Sequence, residues 1–527
     1  MMQTATASSP SPTAPTGITG LDDILDGGFP RGRLCLVQGD PGVGKTTLAL
    51  QFLLEGVARG ETGLYITLSE TREELQQVTL SHGWDLDCLT VLEMDTEDAL
   101  SPDAQNTLFH PSEIELNETT AKILAETDRC NPQRVVFDSL SELRLLAGSG
   151  LRYRRQILAL KQHFGKRGAT VLFLDDLTIS QERELQSLAH GVVTLEHIKP
   201  EYGAERRRLY VNKMRGSRFR GGYHDFMIVP GGLAVFPRLV ANEHIGQFSQ
   251  EMVDSGLPEL DELTGGGLTR GTSTLMLGAA GSGKSTLSSQ YLIAALRRGE
   301  KAALFTFEEG INLVLSRAQV MGHDLAASYA RGDVMLQKVD PAELSPGEFS
   351  HLVRQAVEKQ GARVVIIDSL NGYLYAMPQE RHLILHLHEL LTYLNQQGVV
   401  TILVSAQTGL MGSQMKNPVD LSYLADTIVL LRHYEAFGEV RQAVSVLKKR
   451  SGTHERSIRD LSMRNGQVRV GPSLKNFRGI LTGVPEYEPS VELSSTFAPG
   501  SSGENNGPSQ GLAQEMAPPT SPFPDGD

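Results

Sequence analysis

The chain is poor in cysteine, with three among 527 residues. Cys35, Cys88 and Cys130 stand far apart and form no C-x-x-C pair, which argues against a disulfide framework or a zinc site; they read as buried, reduced thiols. Missing too is any apolar run near the roughly 20 residues that span a bilayer. The amino terminus, M-M-Q-T-A-T-A-S-S-P, lacks a basic stretch followed by an apolar one, so no secretory signal and a cytoplasmic location are expected. Positive charge is short as well: 49 Lys and Arg against 62 Asp and Glu leave a formal net charge of −13. Phosphate neutralisation needs clustered cations, and no stripe of basic residues interleaved with aromatics occurs, so a nucleic-acid partner is not expected. Seven acids lie near the carboxyl end, at Glu486, Glu488, Glu492, Glu504, Glu515, Asp525 and Asp527, with no Lys or Arg to offset them, so this stretch accounts for seven units of the net −13.

What the chain does contain is a repeat. G-I-T-G-L-D-D-I-L-D-G-G-F-P-R-G from Gly17 aligns with G-L-P-E-L-D-E-L-T-G-G-G-L-T-R-G from Gly256, an offset of 239. Gly39 and Gly278, Glu70 and Glu309, and Gly83 and Gly322 keep that offset; it becomes 230 at Asp138 and Asp368, and 235 at Lys213 and Lys448, as loop insertions and deletions would cause. The expected domains are 15–247 and 248–480, flanked by a disordered segment at 1–14 and a disordered acidic tail rich in Pro, Ser and Gly at 481–527. In each copy, short apolar runs such as L-C-L-V-Q-G and R-V-V-F-D alternate with amphipathic stretches such as T-L-A-L-Q-F-L-L-E-G. That pattern predicts an α/β fold, two tandem domains each built on a mostly parallel sheet with helices on both faces.

Both copies carry G-x-x-x-x-G-K-[ST] between a predicted strand and a predicted helix: Gly39-Asp40-Pro41-Gly42-Val43-Gly44-Lys45-Thr46 and Gly278-Ala279-Ala280-Gly281-Ser282-Gly283-Lys284-Ser285. Glycines let backbone N–H groups close around phosphate, Lys reaches the β and γ oxygens, and the Thr or Ser hydroxyl ligates Mg²⁺. The ligand class is therefore a nucleoside triphosphate with Mg²⁺. Asp138 and Asp368 end apolar strands, where a carboxylate either caps the strand or holds magnesium through water; the P-loop in the same copy favours the second. Ser69-Glu70 and Glu308-Glu309 each begin 24 residues after the P-loop lysine. At the carboxyl edge of a parallel sheet such carboxylates can activate a nucleophile for the γ-phosphate, or simply begin a solvated helix.

Tandem P-loops, the T-F-E-E segment at Thr306 to Glu309, the paired Asp-Ser strands, K-M-R-G-S from Lys213 and K-K-R-S-G-T-H from Lys448 together resemble the KaiC family of RecA-like P-loop ATPases, over nearly all of residues 15–480. The resemblance implies two stacked hexameric rings with ATP between neighbouring subunits, an ATPase in the first ring, and a serine autokinase and autophosphatase in the second. It implies that Glu70, Glu308 and Glu309 are catalytic carboxylates. Lys213 and Arg215, with Lys448 and Arg450, become the cations that one subunit extends to its neighbour's nucleotide, although basic residues at a strand end are ordinarily solvated surface. The autophosphorylation segment falls on D-L-S-Y-L-A-D-T, Asp420 to Thr427, where the family's adjacent Ser-Thr pair reads Ser422-Tyr423. Ser422 is the expected acceptor and Tyr423 is expected to be a packing aromatic. A KaiB-like protein or a signalling kinase is the partner class so implied. Two other readings of the same fold are a RecA-like DNA-binding ATPase and an ATP-sensing scaffold with little turnover.

Overall fold

The computed structural model describes residues 13–94, 111–177, 182–200, 203–375, 382–407, 422–464, 466–482 and 484–488. The first copy builds a nine-stranded sheet. Its strands in chain order are β1 (Leu34–Gly39), β2 (Gly63–Thr67), β3 (Thr90–Glu93), β4 (Arg134–Asp138), β5 (Thr170–Asp176), β6 (Gly191–Ile198), β7 (Arg206–Met214), β8 (His224–Val229) and β9 (Gly232–Phe236). Across the sheet the order is β3-β2-β4-β5-β1-β6-β7-β8-β9. The pairs from β3 to β6 are parallel and those from β6 to β9 antiparallel.

The second copy repeats this arrangement with β10 (Ser273–Gly278), β11 (Lys301–Thr306), β12 (Val334–Lys338), β13 (Ala362–Asp368), β14 (Val400–Ala406), β15 (Thr427–Ala436), β16 (Glu439–Lys449), β17 (Arg459–Arg464) and β18 (Gln467–Ser473). Its order, β12-β11-β13-β14-β10-β15-β16-β17-β18, is that of the first copy strand for strand. Even an irregularity is shared, since the register between β6 and β7 slips at Val192/Val193 and that between β15 and β16 at Ile428/Val429.

The continuous apolar strands have the cause expected of a sheet covered on both faces. In β1, Cys35 and Val37 pack into the apolar layer under the P-loop helix α1 (Lys45–Ala58), while Leu34 and Leu36 pack into the layer on the opposite face. β10 does the same, with Met276 in one layer and Leu275 and Leu277 in the other. The two copies touch directly. The Asp225 carboxylate of β8 accepts from the Gly347 N–H at 2.7 Å, and Leu239 and Ala241 of the connecting segment are buried in the apolar layer of the second copy.

Three expectations are corrected. Only Cys35 is buried, and burial pushes its thiol up to about 12; Cys88 is exposed and Cys130 intermediate, because both lie outside the sheet. Thr13–Ala14, assigned to a disordered segment, pair with Phe29–Pro30, and Ala14 is fully buried. Past residue 480, Glu486–Tyr487 pairs with Phe477–Arg478, and the Tyr487 ring meets Phe437 and Phe477 edge to face. An aromatic anchor thus orders residues whose composition reads as a tail. Among the described residues no helix is long and apolar enough to cross a membrane.

Candidate functional site

Each P-loop joins the central strand of its sheet to the helix that follows: β1 to α1 in the first copy, and β10 to α3 (Lys284–Arg297) in the second, which comes after α2 (Arg72–Ser81) in the chain. The last loop glycine caps the helix with positive φ, 112° at Gly44 and 96° at Gly283, a conformation that L side chains rarely adopt. This turns the helix amino end and its N–H groups toward the loop. Asp40, Pro41, Gly42, Ala280 and Gly281 are exposed, whereas Val43, Ala279 and Ser282 are buried and anchor the loop beneath. The second loop is further braced from the antiparallel strands, because Gln442 donates to the Gly281 carbonyl at 3.0 Å.

Both P-loop lysines are buried, at 8% and 7% exposure for Lys45 and Lys284. Lys45 Nζ donates to the carbonyls of Gly39 (2.8 Å) and Asp40 (2.9 Å) and to Asp176 Oδ1 (2.8 Å). Lys284 Nζ donates to the Ala279 carbonyl at 2.7 Å, and its burial lowers its pKa. Thr46 Oγ1 donates to Asp138 Oδ2 at 3.1 Å, and the buried Tyr65 hydroxyl donates to the same oxygen at 2.6 Å. Burial raises the Asp138 carboxyl, against the lowering effect of these two bonds. Asp368 is raised in the same way, opposed by a hydrogen bond from Ser285.

The carboxylates after β2 and β11 stand in the same backbone frame. Thr67 Oγ1 accepts from Glu70 N at 2.9 Å and donates to its carbonyl, and Thr306 does the same for Glu309 at 3.1 Å. Glu70 is therefore the counterpart of Glu309, and Ser69 that of Glu308. Their surroundings differ. Glu309 Oε1 accepts from Arg317, on α4 (Ile311–Val320), at 2.6 Å, and Glu308 Oε1 accepts from Ser369 Oγ at 2.5 Å. In the first copy the place of Arg317 is taken by Val78. Among the described residues Glu70 Oε2 is buried and finds no hydrogen-bond partner. Desolvation first, then the charge of Asp138, raises the Glu70 carboxyl to about 7.

The remaining candidates lie elsewhere. Met214 pairs with Gly191, and Gly191 lies opposite Cys35 at the beginning of β1; the P-loop begins at Gly39, opposite Leu195. Four residues of strand separate the two levels, about 13 Å at the usual rise. Lys213 and Arg215 thus occupy the edge of the sheet away from their own P-loop, Lys213 donating to the Gln186 carbonyl and Arg215 to the Ser187 carbonyl at 3.3 Å. Lys448 and Arg450 repeat this. Lys448 Nζ donates to the carbonyls of Ser422 and Ala425, each at 2.8 Å, and Arg450 donates to the Tyr423 carbonyl at 3.1 Å. The shared strand irregularity falls immediately before each lysine and re-aims it. Ser422 lies in the turn before β15, at the same edge. Tyr423 is 54% exposed, so the expectation of a packing aromatic fails in this chain. Asp420 and Leu421 lie outside the described residues.

The donors suit Mg²⁺. In each copy a hydroxyl lies against a strand-end carboxylate, and among the described residues no group of three or more His, Cys, Asp or Glu could form a metal cage of its own. Such a sparse oxygen set matches an ion that takes its other ligands from water and phosphate.

A family model described as an ATPase, KaiC, matches residues 14–240 and 253–475. The chain belongs to the KaiC ATPase family. Similar KaiC proteins include the circadian clock protein KaiC3 of Synechocystis sp., 27% identical over 492 residues that cover 91% of this chain and 95% of the relative. The circadian clock oscillator protein KaiC of Parathermosynechococcus lividus is 28% identical over 485 residues, covering 90% and 88%; that of Prochlorococcus marinus is 27% identical over 485 residues, covering 89% and 95%. Within this KaiC-family chain, the residues touching the sites that escaped the sequence reading include Asp176, Tyr65, Arg317 and Gln442, and the contact of Ser369 with Glu308 escaped it as well. Asp176 left a faint signal, as the second acid of the pair ending T-V-L-F-L-D-D.

Proposed function

We propose that the chain is a Mg²⁺-dependent ATPase assembling as two stacked hexameric rings, one per copy, and that the second ring phosphorylates Ser422, giving an ATP-driven signalling or timing switch. The observation carrying this reading is the separation of each copy's parts. The P-loop, Asp138 or Asp368, and the carboxylates gather at the carboxyl edge of the sheet, while Lys213, Arg215, Lys448, Arg450 and Ser422 gather at the opposite edge. One subunit cannot bring them together, but a ring of identical subunits can.

In the first copy, Lys45 and the α1 amino end hold the γ-phosphate while Glu70 accepts a proton from water. The water oxygen adds to phosphorus, and the bond to the bridging oxygen of ADP breaks. Thr46 and Asp138 would hold Mg²⁺, which when bound would supply positive charge to the phosphate oxygens. Arg215 and Lys213 of the neighbouring subunit add positive charge at the leaving phosphate, a contribution worth roughly 10³ to 10⁵ in rate. In the second copy Glu308 takes the proton of the neighbour's Ser422 hydroxyl, whose oxygen attacks the γ-phosphorus as the bond to the bridging oxygen of ADP breaks. Ser369 orients Glu308, and Arg317 holds Glu309 as a positioning group. Partners reading the phosphorylated state are of the KaiB-like or signalling-kinase class.

Mixed rings test this. Ser422→Ala subunits retain a working second site but no acceptor, and Lys284→Ala subunits retain the acceptor but no working site. With Mg-ATP and a mass tag on one subunit, phosphate should build up on Ser422 of the Lys284→Ala subunits only, and replacing the partner by a Ser422→Ala/Glu308→Gln subunit should stop it. Phosphorylation of wild type with none in the mixture would refute the exchange between subunits. Absence of phosphate on wild type at every ATP/ADP ratio would leave an ATPase without kinase activity.

A further inference from the structure

The two P-loop lysines meet different residues at one register position. In the parallel ladder of the first copy Gly39 lies opposite Asp176, the last residue of β5; in the second, Gly278 lies opposite Ala406, the last residue of β14. Asp176 forms an ion pair with Lys45 at 2.8 Å, with side-chain exposures of 41% and 9%. An ammonium has three protons to donate. All three are engaged: two by the carbonyls of Gly39 and Asp40, which belong to the loop itself, and the third by Asp176.

We infer that Asp176 competes with nucleotide phosphate for Lys45, and so makes the first copy the weaker and faster-exchanging ATP site. The inference rests on the reading that this P-loop binds ATP. A phosphate oxygen reaching Lys45 must take the proton held by Asp176, because the carbonyl contacts are made by the loop that cradles the phosphate. Asp176 is the more exposed partner of the pair. It then stands as a like charge beside the bound phosphates, and recaptures Lys45 as they leave. In the second copy Ala406 offers no such competitor.

The test is titration of the full chain with a fluorescent ATP, ADP or AMP in a Lys284→Ala background, which removes the second copy's lysine–phosphate contact. Asp176→Ala supplies the residue of the second copy, and Asp176→Asn keeps the shape while removing the charge. Both should tighten ATP and ADP by about 3- to 10-fold, and neither should change AMP, whose phosphate does not reach the lysine. Conversely, Ala406→Asp in a Lys45→Ala background should weaken ATP binding. Unchanged or weaker ATP binding by Asp176→Asn overturns the inference, as does an equal gain for AMP, which would indicate a change of shape rather than competition for Lys45. If Lys45→Ala itself leaves ATP affinity in the first copy unaltered, the underlying assignment of this P-loop fails instead, whatever Asp176 does.

Discussion

The same backbone frame holds Glu70 in one copy and Glu309 in the other, yet the two carboxylates are placed in different chemical situations. Glu309 is neutralised by Arg317, while Glu70, with Val78 where that arginine would be, keeps a buried oxygen without a hydrogen-bond partner among the described residues. A carboxylate compensated by a guanidinium is a poor proton acceptor; one raised toward neutrality by burial is a good one. Loss of Glu308's counterpart to Ser69 therefore need not disable the first copy. On the proposed function, a valine in place of the arginine that contacts this carboxylate turns it from a positioning group into a base. Duplicated sites can divide their labour through such supporting residues while the phosphate-binding loop stays the same.

The comparison breaks most visibly if the retained carboxylates are neutralised one at a time. Glu70→Gln should lower first-copy hydrolysis, measured with Lys284→Ala present, by roughly 10²- to 10⁴-fold. Glu309→Gln should change total turnover by less than about threefold, since it removes a group already occupied by Arg317. Equal losses would mean that the backbone position, rather than its surroundings, sets the role. A smaller effect sharpens the point. Arg317→Val recreates the first-copy surroundings around Glu309, and the pH profile of second-copy hydrolysis should then gain a rise toward neutral pH, with a change of about two- to fivefold at pH 7. An unaltered profile would show that the arginine does not control its carboxylate.

The repeat, both P-loops, the strand-end aspartates and the α/β class were legible in the sequence because each is written in a contiguous stretch or a local period. Ser369 and Arg317 were not, since their roles depend on which side chain the parallel register and the helix turn bring to a carboxylate. Nor was Asp176: nothing in T-V-L-F-L-D-D says that its last residue will lie across from Gly39. The position of Lys213, Arg215, Lys448 and Arg450 at the far edge of the sheet was likewise invisible before the antiparallel strands were paired. Tyr423 was misread because its aromatic ring suggested a core that the turn before β15 does not provide.

Glu70 is the base on which hydrolysis in the first copy is proposed to depend, and the pH dependence of that hydrolysis tests its role most directly. The Glu70 carboxyl is raised to about 7, so its protonated form dominates below that pH and the basic form above it. The sign for stability is the opposite: the folded chain binds this proton more tightly than the unfolded one, so the group's contribution to stability falls as pH rises from the ordinary carboxylate range through about 7. With the full chain carrying Lys284→Ala and saturating Mg-ATP, the rate should climb about tenfold per pH unit below 7 and level off above it, and Glu70→Gln should abolish both the rate and the slope. A profile flat from about pH 5.5 to 8, or a Glu70→Gln chain that keeps the wild-type rate and slope, would contradict the assignment of Glu70 as the base.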